Sequence, residues 1–404
     1  MQVLPEKYQV SFHLTDRKKF AMKAGMLTAL ISYPFAKGIF YLGLTAALIG
    51  WVFYLREKEN ILSYLLEIPL IKEAGLILLF SAVSMLYSEN LGYAFRYWNM
   101  IFQAIVSYMI LYETLDSWQL VKLFCYSLMG AGTIISIFAL YEYGAGIEDR
   151  RAVSVFTNPN LLATYLLIIA PLVLAQISGA AISLKKRFIL IAFFAASYTA
   201  LILTMSRGAW LGITAAVAGI IVMTRNFRLL LVILLVTVLI LPLGSENFYG
   251  RLTSIADMEE HTGRLNIWQG TVNMIRDNPV FGVGIGNFRP MYENYAPEDA
   301  SPGMHHTHNI LLQTLAEIGI FGLLLSLVFL RSLAKYIGRL FKKVGGNKKI
   351  MIIGITASLI GLFVHQQVDV TLHDRGIAFY AMFMLALPGY FYRNQRKEET
   401  GEIK

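Results

Sequence analysis

The strongest constraint on this chain is a succession of apolar runs that are long enough to cross a lipid bilayer. A membrane-spanning helix needs about 20 apolar residues to cross a hydrocarbon core of about 30 Å. About twelve runs of this kind follow one another, so we predict an all-α polytopic membrane protein with about 12 transmembrane helices. The predicted spans cover about 20–33, 38–55, 74–88, 97–114, 120–143, 161–178, 188–204, 208–224, 229–243, 310–330, 350–367 and 376–392.

The composition excludes most other classes of protein. Hydrophobic residues make up 56% of the chain and charged residues only 15%, against about 25% in a typical soluble domain. The single cysteine, Cys125, excludes a disulfide scaffold. The first 23 residues contain no apolar core before residue 20, so we expect no cleavable signal peptide.

The longest apolar run, residues 188–224, is interrupted only at Ser206-Arg207-Gly208. As one helix it would be about 55 Å long at about 1.5 Å per residue, which is too long for a single crossing. We therefore predict two spans that are separated at these three residues. The run 20–55 is interrupted in the same way between Pro34 and Gly38.

The distribution of basic residues predicts the orientation. The net charge of +9 could indicate a nucleic-acid partner, but cytoplasmic loops of membrane proteins also collect Lys and Arg, so we predict the lipid bilayer and no nucleic acid. All but ten of the 35 basic residues fall on the side that holds both termini, which are therefore expected to be cytoplasmic. The ten outer residues are Lys37, Arg96, Arg150, Arg151, Arg207, Arg251, Arg264, Arg276, Arg289 and Arg375.

The outer basic residues are all arginines except Lys37, which suggests that these positions have a functional role. The guanidinium group is planar and permanently charged, and it suits phosphate or carboxylate ligands. Ordinary ion pairing with acids of the long outer loop is the alternative, and the sequence leaves both open.

The domain organisation follows from the same pattern. Residues 1–404 are predicted to form a single integral membrane domain, and residues 244–309 a large extracytoplasmic loop with short helices. Within this loop, residues 264–277 place their apolar side chains on one helical face. Gly263-Arg264 is expected to open that helix, where a bound anion would relieve the conflict between the arginine and the helix dipole.

Three histidines in four residues, at His305-His306-Thr307-His308, precede the tenth span. Asn309 is expected to cap the helix that follows. The histidines could bind zinc, but the outer segments offer no second group of His or Cys ligands. A histidine at the mouth of a span could instead act as a general base near neutral pH.

Other polar motifs lie at outer ends of spans. Asp369 lies close to His365 and His373, and an acid beside a histidine can orient the ring and raise its basicity. Asn158-Pro159-Asn160 is expected to form a turn with a helix cap.

The glycines of the 282–286 segment could suggest a nucleotide loop, but no strand precedes them and no P-loop lysine follows, so we expect a turn.

Taken together, Arg207, Arg264, His308 and Asp369 lie at predicted membrane boundaries on the outer side. Arginine forks with a histidine base suit a diphosphate leaving group and an activated hydroxyl. Because nucleotide sugars are absent from the outer face, a diphosphate there would be lipid-linked.

The ordered motifs resemble the O-antigen ligase and O-antigen polymerase superfamily of bacterial membrane glycosyltransferases. The matching segments are Phe156-Thr157-Asn158-Pro159-Asn160, Ser206-Arg207-Gly208, Asp277-Asn278-Pro279 with Gly282-Val283-Gly284, and His308-Asn309 with Glu317-Ile318-Gly319.

The resemblance implies a C-type glycosyltransferase-like fold in the bacterial inner membrane, with no cofactor and no metal. It implies a polyprenyl-diphosphate-linked glycan donor and a glycan or lipid-core acceptor. Arg207 and Arg264 would bind the diphosphate, and His308 would be the catalytic base. The supporting residues would be Asp369, Asn160, Arg150 and Arg151.

A transporter or flippase of a lipid-linked saccharide is the alternative function. That class favours ionisable residues near the midplane of the membrane and two structurally related halves. Few acids lie within the predicted spans and no corresponding halves are visible, so we favour the enzyme. The sequence does not distinguish a ligase from a polymerase.

Overall fold

A computed structural model describes residues 17–146, 151–179, 182–240, 249–250, 253, 259–298 and 304–399. Within these residues the chain is helical and contains no strand. The helices are α1 (Arg17–Ser32), α2 (Lys37–Leu55), α3 (Ile61–Leu66), α4 (Ile71–Ser84), α5 (Leu91–Thr114), α6 (Trp118–Gly144), α7 (Pro159–Ile177), α8 (Leu184–Leu203), α9 (Arg207–Thr224), α10 (Arg228–Ile240), α11 (Glu259–Asp277), α12 (Phe288–Tyr292), α13 (Ile310–Lys343), α14 (Gly346–His365) and α15 (Arg375–Glu399).

Among the described helices, seven are long and apolar enough to cross a membrane: α2, α6, α7, α8, α9, α13 and α14. This agrees with the predicted all-α polytopic membrane protein. Each predicted span overlaps a described helix, although α1, α4 and α10 have only 16, 14 and 13 residues. The number of about 12 transmembrane helices and the C-type fold remain predictions.

The predicted break in the longest apolar run is confirmed. α8 ends at Leu203 and α9 begins at Arg207, and between them Met205 has a left-handed backbone with φ of 55°. The reversal places Arg207 in the first turn of a helix, at the end of the α8–α9 hairpin.

Helix α7 lies at the centre of the bundle, and 83% of its most apolar window is buried. It packs against α8, α9 and α14. A side chain at Gly212 of α9 would come within 2.7 Å of the Gly361 carbonyl of α14, so these two helices touch backbone to backbone. This close approach brings the start of α9 beside the end of α14.

Helix α13 is broken at Gly319, where φ is 64° and ψ is −168°. The chain after α11 fills the break: the Val283 and Gly284 amides donate to the carbonyls of Ala316 and Glu317 at 2.9 Å. The Ile320 amide in turn donates to the Pro279 carbonyl at 3.0 Å. The predicted turn at the glycine-rich segment is confirmed, and this turn docks on helix α13, which was not predicted.

Two helices extend beyond the segments predicted for them. Helix α13 continues to Lys343, so most of the predicted cytoplasmic loop 331–349 is helical, because charged residues end the membrane span without ending the helix. Helix α11 begins at Glu259, upstream of Gly263-Arg264. A single glycine inside a helix costs only about 1 kcal/mol, and beyond the first turn the expected conflict between Arg264 and the helix dipole is weak.

Candidate active site

The segment before α13 holds His308 in a fixed position. Asn309 caps α13 by accepting hydrogen bonds from the Leu311 and Leu312 amides, both at 3.0 Å, which confirms the predicted cap. The buried Thr307 donates its amide proton to Gln313 at 2.8 Å. His308 itself has a left-handed backbone with φ of 57°, an uncommon conformation that is tolerated by histidine better than by most residues.

His308 forms a hydrogen bond with Asp369, an acid that is distant in the sequence and is brought close by the fold. The Nδ1 atom of His308 lies 2.8 Å from Oδ1 of Asp369, on the loop that follows α14. Burial alone would raise the pKa of Asp369, but the hydrogen bond and charge of His308 lower it to about 2. In the tautomer that carries its proton on Nδ1, His308 donates that proton to the carboxylate, and Nε2 keeps its lone pair.

A second network holds the carboxylate from the other side. The side-chain amide of Asn160 donates to Oδ2 of Asp369. Arg151 donates from its guanidinium to the Asn160 Oδ1 at 3.1 Å and to the Thr204 carbonyl at 2.7 Å. The chain Arg151–Asn160–Asp369–His308 thus ties the starts of α7 and α13 to the end of α8. Asn158 caps α7 by accepting from the Asn160 amide at 2.7 Å, which confirms the predicted turn and cap.

The loop that carries Asp369 is itself rigid. The Gln366 side chain accepts from the Thr371 amide at 2.9 Å and donates to the Thr371 hydroxyl at 2.7 Å. The Thr164 hydroxyl on α7 lies 3.0 Å from the same hydroxyl oxygen. Gln366, Thr371 and Thr164 are buried, so these bonds fix the loop against the central helix.

The two arginines predicted to bind diphosphate approach the same region. A side chain at Gly208, next to Arg207, would contact Val368 and the His365 ring. The positive charge of Arg264 interacts electrostatically with His365. One turn later on α11, the Trp268 indole donates to the Thr307 carbonyl at 3.0 Å. Both arginines are half-buried.

The imidazole ring of His306 lies beside the His308–Asp369 pair. Its Nε2 atom lies 4.0 Å from the Asp369 carboxylate, and its ring centre lies 4.3 Å from that of His308. Burial, and after it the charge of His308, lower the pKa of His306 to about 4, so this ring is neutral at pH 7.

His306, His308 and Asp369 could hold a metal ion, since one ligand atom from each lies within 4.8 Å of the others. The sequence missed this group because Asp369 comes from a distant segment. No fourth His, Cys, Asp or Glu joins these three among the described residues, so the group has fewer protein ligands than a structural zinc site and the number found in catalytic zinc sites.

The structure therefore brings together most of the predicted site. Arg151, Asn160, His308 and Asp369 form one connected network, and Arg207 and Arg264 approach it. Arg150 lies outside the described residues. Sequence reasoning missed Gln366 and Thr371, which carry no recognisable motif and act only through their position in the fold.

A comparison with curated proteins found no match. Residues 189–327 of the 404 match the family model Wzy_C, described as O-Antigen ligase. The matched segment contains Arg207, Arg264 and His308, whereas Asn160 and Asp369 lie outside it. The predicted resemblance is thereby confirmed: over residues 189–327 this membrane protein is similar to the O-antigen ligase family.

Proposed function

We propose that this protein is a membrane glycosyltransferase of the O-antigen ligase or polymerase type, which acts in surface polysaccharide biosynthesis. It transfers a glycan from a polyprenyl-diphosphate-linked donor to an acceptor hydroxyl at the outer face of the bacterial inner membrane. The observation that carries the proposal is the hydrogen-bonded His308–Asp369 pair, which two arginines approach.

His308 is the general base of the proposed reaction. Its Nε2 atom takes the proton of the acceptor hydroxyl as that oxygen forms a bond to the anomeric carbon of the donor. The bond between the anomeric carbon and the diphosphate oxygen breaks, and the polyprenyl diphosphate leaves with the electron pair. Asp369 stabilises the imidazolium that forms on His308.

Arg207 and Arg264 bind the diphosphate and stabilise the charge that grows on it as it leaves. Asn160 and Arg151 are positioning residues, because their contacts to Asp369 and to the Thr204 carbonyl orient the base without reaching the substrate. We assign no role to a metal ion.

The test measures glycan transfer by purified protein in nanodiscs with a lipid-linked donor. His308→Ala should lower turnover by about 10²–10⁴-fold, the usual contribution of a positioned base, while donor binding persists. The control is Arg276→Ala, since Arg276 is an exposed residue in the last turn of α11 and lies outside the proposed site.

Two outcomes would contradict the proposal. Near-normal turnover of His308→Ala would remove the base role, and chelator-sensitive activity of the wild type would indicate a metal at His306, His308 and Asp369. Movement of the donor across vesicles without any transfer would instead favour the transporter.

A further inference from the structure

A polar cavity of about 510 Å³ lies beside the candidate active site and is not used by the mechanism above. Four cations from four elements line it: Lys37 at the start of α2, Arg96 on α5, Arg289 on α12 and Arg375 at the start of α15. We infer that this cavity binds an acceptor saccharide that carries a carboxylate group, so that the enzyme prefers an anionic glycan. The assignment to the acceptor rests on the proposed function.

The charge of the cavity is strongly unbalanced. Among the described residues, none of the four cations is in an ion pair with an acid. The one acid in the lining, Asp374, is engaged within the protein: it accepts from the Tyr33 hydroxyl and from the amides of Gly376 and Ile377. Four converging cations outnumber this single acid, and the excess of positive charge favours an anionic ligand.

The remaining lining suits a sugar. Four tyrosines, Tyr33, Tyr41, Tyr93 and Tyr97, line the cavity and offer aromatic faces and hydroxyl groups. The Arg289 guanidinium lies 5.9 Å from the centre of the Tyr93 ring, a cation–π contact that orients the charge without neutralising it.

The cavity reaches the proposed base through two histidines. His373 is in its lining, and the His373 ring centre lies 6.1 Å from that of His306, which is itself 4.3 Å from that of His308. Nδ1 of His373 is buried and makes no hydrogen bond within the described part of the chain. A hydroxyl-rich ligand at this end of the cavity could satisfy it.

The competing occupant is the diphosphate of the donor. Two observations favour the saccharide. Neither Arg207 nor Arg264, the proposed diphosphate residues, lines this cavity, and Arg264 interacts electrostatically with His365 instead. The volume also falls in the range of pockets that enclose whole small molecules, about 300–1,000 Å³, and exceeds what one diphosphate group fills.

The experiment measures binding of soluble ligands to purified protein in nanodiscs of zwitterionic lipid, with no donor present. The ligands are a disaccharide that contains a uronic acid, its carboxyl-reduced neutral analogue, and inorganic diphosphate. The test variant is Lys37→Gln/Arg96→Gln, because both side chains are exposed and their loss should not disturb folding. The control is Arg276→Gln, an exposed outer arginine that does not line the cavity.

We expect the wild type and the control to bind the uronate at least about tenfold more tightly than the neutral analogue, and the double variant to lose this preference. Diphosphate should bind the wild type and the double variant equally. Equal binding of the two disaccharides by the wild type, or a uronate preference that survives in the double variant, would overturn the inference. Loss of diphosphate binding in the double variant would assign the cavity to the donor. Because no transfer is measured, each of these results is independent of whether His308→Ala abolishes turnover.

Discussion

At the scale of single residues, the sequence identifies His308 and Asp369 as candidate site residues, but it does not predict the hydrogen bond between them. The two residues are 61 positions apart, and they meet because α14 packs beside the start of α13. Their types and their positions at span ends could be predicted from hydropathy and side-chain chemistry. The tautomer of His308, which decides which of its ring nitrogens can accept a proton, depends on this contact and therefore on the fold.

Asp369→Asn tests the tautomer directly. The asparagine amide would present an N–H or a weaker acceptor to Nδ1, so the ring proton would no longer be held away from Nε2. We expect turnover to fall by about 10²–10⁴-fold while the protein folds normally. The measurement is transfer rate with thermal melting as the control for folding, and wild-type turnover in a folded Asp369→Asn protein would contradict the proposed orientation.

Arg207→Lys and Arg264→Lys test the diphosphate assignment. Both variants keep the positive charge but replace a planar fork with a point charge, so bidentate contact to phosphate is lost. We expect each to lower transfer strongly, by about tenfold or more, while Arg276→Lys on the exposed side of α11 has little effect. Full transfer by both variants at normal expression would remove the two arginines from the site.

At the scale of elements, hydropathy predicts where helices must break but not where they continue. The break before Arg207 could be predicted because a single helix of that length would overshoot the bilayer. The extension of α13 to Lys343 could not, because a helix that leaves the membrane keeps its own hydrogen bonds in water. The break at Gly319 is also invisible in hydropathy, since it depends on the turn that docks there.

Gly319→Ala tests that docking. The backbone of Gly319 is left-handed, and an added methyl group would overlap the backbone of Val280. Because φ of 64° with ψ of −168° is a combination essentially restricted to glycine, we expect the free energy of unfolding to fall by about 1–3 kcal/mol from the backbone alone, with a further loss from the overlap. Gly338→Ala in the same helix is the control, because nothing lies within 4 Å of its added methyl group, and it should be neutral or stabilising. Thermal melting measures both, and equal melting temperatures would show that the break needs no glycine.

At the scale of the whole molecule, the charge pattern predicts the orientation in the membrane. We expect both termini and the region 331–349 to be cytoplasmic, and the loop 244–309 to face outward. The single native cysteine, Cys125, is fully buried, so labelling of introduced cysteines has little background.

An impermeant maleimide added to intact cells should label Asn294→Cys and leave Asn347→Cys unlabelled until the cells are opened. Both positions are exposed, so accessibility within the protein does not limit either reaction. Labelling of Asn347→Cys in intact cells would reverse the orientation.

The position of the cationic cavity has a pharmacological consequence. Lys37 and Arg96 lie in outer segments of the predicted topology, so a compound that occupies the cavity would act at the outer face of the inner membrane. Such a compound need not permeate the inner membrane and would escape pumps that clear drugs from the cytoplasm. Charge, which usually prevents a drug from crossing the inner membrane, would here improve the fit. Anionic sugar mimics are therefore the class of inhibitor that is expected to fit this cavity.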